Sequence, residues 1–107
     1  MSNRGIQRER QVRDKLRDED WIAFRAPASL GCADVVALRA GSIPRLIEVK
    51  STAAGPYHSF GPKERARLSL AARLAGAEAF LYWWPPRGKM HVVGEAEWPR
   101  NERTVDE

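Results

Sequence analysis

Ala33-Asp34-Val35-Val36-Ala37-Leu38-Arg39 and Arg45-Leu46-Ile47-Glu48-Val49-Lys50-Ser51 read as two short buried β-strands, yet three ionisable side chains, Asp34, Glu48 and Lys50, stand among their apolar residues. Aliphatic and β-branched residues suit a pleated sheet, and Ala40-Gly41-Ser42-Ile43 between the runs supplies a compact turn. The pattern predicts an antiparallel hairpin in which residues whose numbers sum to about 82 lie opposite each other, so that Asp34 faces Glu48. Glu48 and Lys50, two apart, share one side of their strand, while Ile47 and Val49 point to the other. A carboxylate in an apolar strand is costly unless it is paired or binds a cation. Here two carboxylates and a lysine are gathered on one patch.

Working outward, residues 4–19 form a helix, because good helix formers dominate and neither Gly nor Pro interrupts them after Gly5. Val12 and Leu16 share its inner stripe with Ile6 at the edge, and Glu9 falls inside the same stripe. A strand follows over 21–25, then a loop over 26–31. Residues 52–61, rich in Gly, Pro and aromatics, form a surface loop after the acid-bearing strand. A second helix runs from about Pro62 to Leu74, with proline in its first turn and Leu68, Ala71 and Ala75 inward. Strands over 79–84 and 90–93 close the order α-β-β-β-α-β-β.

The 107 residues and 12.1 kDa accommodate one domain with one modest core, here expected over about 4–94, followed by an acidic, loosely ordered tail over 95–107. No apolar run approaches the ~20 residues that span a bilayer, and the N-terminus lacks a signal-like apolar region, so a membrane partner is not expected and an intracellular, cytoplasmic setting is. A lone Cys32 excludes an internal disulfide and a thiolate metal cluster. The net charge of +4 divides into +3 over residues 1–50, +4 over 51–94 and −3 over 95–107, so the basic surplus belongs to the body of the fold. Arginine carries most of it, and a planar guanidinium suits phosphate. A polyanionic partner is favoured.

Asp34 and Glu48 offer hard oxygen ligands of the kind Mg²⁺ or Mn²⁺ takes, with the backbone carbonyl of Val49 as a further one. Such an ion serves phosphodiester cleavage by polarising the phosphoryl group and acidifying water. Lys50 either orients the attacking water or stabilises charge on phosphorus, and Glu9 is placed to add a further acidic group.

Glu9, then Gly31-Cys32-Ala33-Asp34-Val35-Val36-Ala37-Leu38, then Ile47-Glu48-Val49-Lys50-Ser51, resembles the archaeal-type Holliday junction resolvases of the PD-(D/E)xK nuclease superfamily across roughly residues 4–94. The resemblance implies a restriction-endonuclease-like α/β fold, a central mixed sheet flanked by helices. It also implies a Mg²⁺-dependent homodimer that resolves four-way DNA junctions by paired nicks in recombination and repair. Glu9, Asp34, Glu48 and Lys50 match the family's acidic and lysine positions, and Ser29 matches a loop serine near its active site. Cys32 stands where many members carry proline, and a glutamine common on the following helix has no counterpart near Glu64-Arg65. A phage copy, working in a host cytoplasm, fits the same pattern.

Arg4 and Arg8 on the first helix, Arg25 at the end of its strand, and Lys63 and Arg65 opening the second helix are the expected phosphate contacts. Tyr57 and His58 in the loop after the catalytic strand either order on DNA or belong to ordinary core and surface, as does Phe60. Trp83-Trp84 places indoles on opposite faces of one strand, which calls for helices on both faces or for a partner chain; the homodimer contact is the expectation. Two other functions fit the composition: a related nuclease of forks, flaps or duplex, and a non-catalytic DNA-binding module. The intact acid-acid-lysine set opposes the module, since binding alone would gain by losing two negative charges near phosphate.

Overall fold

A computed structural model describes residues 4–26 and 33–99 of the chain. The elements follow the expected order: α1 (Arg4–Asp18), β1 (Ile22–Arg25), β2 (Val35–Leu38), β3 (Arg45–Ser51), α2 (Pro62–Ala75), β4 (Glu78–Trp84) and β5 (His91–Gly94), with a short 3₁₀ helix at Glu95–Glu97. One five-stranded sheet has the spatial order β1-β2-β3-β4-β5. Its neighbours are antiparallel except β3 and β4, which run parallel because α2 carries the chain back between them.

The β2–β3 hairpin has the register the alternation predicts, with Val35 opposite Ile47, Val36 opposite Leu46 and Ala37 opposite Arg45. Val35, Ala37, Ile47 and Val49 therefore lie under α1, where Val12 and Leu16 meet them with essentially no exposure. Burying each such side chain contributes about 1.5–3 kcal/mol. The helix stops at Asp20, which takes the left-handed conformation (φ 70°) while the amide of Trp21 donates to the Leu16 carbonyl at 3.0 Å. That turn drops Trp21 and Ala23 into the same core.

α2 covers the opposite face, over β3 and β4. Pro62 occupies its first turn, the Gly61 amide donates to Glu64 Oε1 at 3.1 Å, and Gly76 (φ 66°) closes the end. Leu68 and Ala72 pack there with Leu81 and Phe60. The core runs further than residue 94: Trp98, 9% exposed, meets Phe60 edge-on at 5.0 Å, and its Nε1 donates to the Val93 carbonyl. The segment after β5 thus contributes a core aromatic among its acids, and the expected boundary moves outward.

Both tryptophans of β4 are partly covered within one chain. Trp83 packs on the α2 side, and Trp84 on the α1 side beneath the Arg8 guanidinium, 4.1 Å from the ring centroid. Helices on both faces cover part of each ring, so the pair does not by itself call for a second chain. Among the described residues no helix is long and apolar enough to cross a membrane.

Candidate active site

β3 runs on to Ser51 while paired β2 begins only at Val35, so a notch opens beside the second half of β3. Asp34 stands at its corner. Its amide donates to the Ile47 carbonyl at 2.8 Å, continuing the ladder by one bond, and its Oδ2 accepts the Val49 amide at 2.9 Å. The carboxylate thereby takes the place a strand carbonyl would have filled, which fixes its direction along the notch.

Glu48 and Lys50 flank the same notch on β3, with Lys50 Nζ 3.2 Å from Glu48 Oε2. Glu48 is only 18% exposed. Burial, followed by the negative charge of Asp34, pushes its carboxyl up to about 7, against the partial relief that Lys50 provides. Burial also raises Asp34, opposed first by the hydrogen bond from Val49 and assisted by the charge of Glu9. Two carboxylates are thus kept close together, with Lys50 and Arg25 as their cationic neighbours.

Glu9, half-buried on α1, reaches this region from the other side and is tied by Oε1 to Arg25 Nε at 3.0 Å. Its charge acts on both Asp34 and Glu48. The structure thus gathers Asp34, Glu48 and Lys50, with Glu9 adjoining them through Arg25. Among the described residues no three acidic, His or Cys side chains converge closely enough to hold a metal ion by themselves. Ser29 lies outside the described residues.

The expected DNA contacts divide. Arg25 stands at the notch, bonded to Glu9, while His58 and Lys63 are exposed beyond it. Arg8 lies flat on Trp84 and donates to Gln11 at 3.0 Å. Tyr57 packs against the α2-side core and its hydroxyl donates to the Glu97 carbonyl, so it braces the loop. Arg65 turns inward: it is 7% exposed and donates from NH1 to the Phe60 carbonyl at 2.7 Å. Its position, three before Leu68 and seven before Ala72, puts it on the inner stripe of α2, a signal legible in the sequence. The side chain of Arg4 is not among those described.

A mixed sheet sandwiched by two helices, with Asp, Glu and Lys collected where β2 leaves β3, defines a nuclease of the restriction-endonuclease-like class. The model of one family, archaeal Holliday junction resolvase (Hjc), matches residues 1–107. Among solved structures, the fold is similar to that of Archaeoglobus fulgidus Hjc, a Holliday junction resolvase from an archaeal hyperthermophile. The two share 29% identity at a TM-score of 0.79, over 92% of this chain and 79% of that one. Comparison with curated proteins gives no match. The chain belongs to the archaeal Holliday junction resolvase family, structure-selective nucleases acting on branched DNA.

Proposed function

We propose that the chain resolves four-way DNA junctions by metal-dependent hydrolysis, as a homodimer that nicks two opposed strands. The observation that carries this reading is the notch itself: Asp34 and Glu48, both raised by burial, beside Lys50 on a basic domain. Asp34, Glu48 and the Val49 carbonyl would hold Mg²⁺ or Mn²⁺, whose chemistry there would be to polarise the phosphoryl group and acidify water. The chain's own residues do the rest. Asp34 is held by the Val49 amide, which fixes the direction of its carboxylate, and Glu48, raised by burial, would give up its proton on holding the cation. Lys50, kept at the rim by Glu48, meets the scissile phosphate with positive charge. Glu9 adds a further acidic group and orients Arg25 toward the backbone. Ser29 joins this assignment on the residue match alone.

Paired nicks on a symmetric junction call for two sites related by a two-fold axis. The surface suited to a second copy is the half of the sheet that α2 leaves bare. There Ile22, 69% exposed, stands opposite Leu38, and Phe24 stands opposite Val36. Leu70 and Leu74, one turn apart and exposed on α2, extend the apolar surface of the chain.

Purified protein incubated with labelled four-way junction, fork and linear duplex, with Mg²⁺, with Ca²⁺ and without metal, tests this. Symmetric nicks confined to the junction and to Mg²⁺ or Mn²⁺ are expected. Equal cutting of linear duplex would refute the junction assignment, and Asp34→Ala or Glu48→Ala that still cut would remove those acids from the chemistry.

A further inference from the structure

The sheet places a row of side chains beside the notch that the acids and lysine do not use. In register, Lys50 of β3 lies next to Trp83 of β4, and Trp83 lies opposite His91 of β5. The Trp83 and His91 rings stack with centroids 5.3 Å apart and planes tilted by 30°. Trp83 is itself immobilised, because its Nε1 donates to both the carbonyl and the Oγ1 of Thr52 at 3.1 Å. Thr52 Oγ1 in turn donates to the Gly55 carbonyl, closing the turn that follows β3. An exposed imidazole is thus held on a fixed aromatic platform, two strands from the catalytic lysine.

Charge along the row favours a polyanion. Residues 79–94 contain Arg87, Lys89 and His91 and no acid, and both Arg87 and Lys89 are exposed in the β4–β5 turn next to His91. The acids that follow, Glu95 and Glu97, lie past the far end of β5, where Gly94 pairs with Phe80. Glu95 is moreover engaged by the Ser69 hydroxyl. Two strand spacings amount to about 10 Å, a distance that the backbone of a DNA strand covers in a short step from one phosphate to a near neighbour. A strand whose scissile phosphate sits at Lys50 therefore meets His91 at a phosphate close to the cut and the turn cations beyond it.

We infer that His91, stacked on Trp83, is a DNA-backbone contact for the strand flanking the cut, the inner member of a lane that Lys89 and Arg87 continue. Trp83 is the positioning residue of this lane, and its indole sets the plane in which the imidazole lies. The assignment rests on the nuclease reading of the notch and adds to it the path of the bound strand.

The test uses the full chain, four-way junction and linear duplex, with binding measured in Ca²⁺ and single-turnover cutting in Mg²⁺. His91→Ala and His91→Phe are each expected to weaken junction binding roughly three- to tenfold. Cutting at saturating protein should stay within about twofold of the unmodified chain, because the lane lies outside the chemistry. Lys89→Ala should weaken binding and lower the slope of log affinity against log salt by about one. Arg73→Ala, exposed on the last turn of α2, should change nothing. His91→Phe keeps a ring on Trp83, so full affinity in that variant would reduce His91 to a packing group and overturn the inference. Unmodified protein that binds junction and duplex alike, with His91→Phe still weakening both, would overturn only the junction assignment and leave the lane standing.

Discussion

Glu48 is the residue whose charge this fold tolerates least. Its carboxyl is raised from 4.5 to about 7 by burial and by Asp34, so the folded chain holds a proton there that the unfolded chain has released. Stability from this group is fully present below pH 4.5 and is lost as pH rises through about 7, and the upward shift of Asp34 acts in the same direction. The metal-free protein should therefore melt lower at pH 8 than at pH 5, by on the order of 2–3 kcal/mol. Glu48→Gln should flatten that dependence and melt higher than the parent at pH 8, as thermal unfolding in chelator would register. Mg²⁺ should raise the parent's midpoint at pH 8 far more than the variant's. A Glu48→Gln profile identical to the parent's would show that the carboxyl carries no such penalty.

At the scale of elements, one ion pair fastens α1 to the catalytic end of the sheet. Arg25 Nε and Glu9 Oε1 lie 3.0 Å apart, with side chains 33% and 21% exposed, so the pair is partly shielded from water. Arg25 also lowers the Asp34 carboxyl. Removing it by Arg25→Ala leaves Glu9 uncompensated near two other acids, and cutting should fall roughly tenfold or more with a loss of about 1 kcal/mol in stability. Glu9→Gln distinguishes two roles for the helix acid. If Glu9 serves only to hold Arg25, the double variant cuts at the rate of Arg25→Ala alone; a further drop of the double variant is expected from its place beside Asp34 and Glu48, and single-turnover rates measure it.

For the whole molecule, the asymmetric placement of α2 is decisive. The helix packs on β3 and β4 and leaves the β1–β2 half of that face uncovered, with Ile22 and Phe24 outward. Ile22→Asp places a charge on this surface without touching the α1-side core, where Ala23 is the buried neighbour. The variant should elute as a monomer by light scattering and convert paired junction cuts into single nicks. A variant that remained dimeric would move the interface elsewhere. Trp83 and Trp84, each packed in part against its own chain, are not expected to report on assembly in this way.

Local rules made much of this legible. The hairpin register follows from strict alternation around a short turn, since a one-residue slip would have put Ile47 and Val49 into water and Glu48 into the core. The Trp83–His91 pairing obeys the same rule, because β4 and β5 pair residues whose numbers sum to 174 about the Arg87 turn. Helix α1 follows equally from its stripe of Val12 and Leu16.

The burial of Arg65 and of Trp98, the latter in the segment expected as a loose acidic tail, departs from expectation for a different reason: composition averages over a segment, whereas burial is settled residue by residue. A charged side chain on an inner helical stripe and one indole in an acidic tail are exceptions that only packing reveals. By itself the sequence determined the elements, the hairpin and the identity of the acid-acid-lysine set, all of which depend on neighbours a few residues apart. Only the tertiary structure decided that β3 outruns β2, that Asp34 accepts the Val49 amide, and that Glu9 reaches the site through Arg25. Those facts depend on how α1 and the parallel β3–β4 crossover close around the sheet, and such long-range contacts leave no periodic trace in the chain.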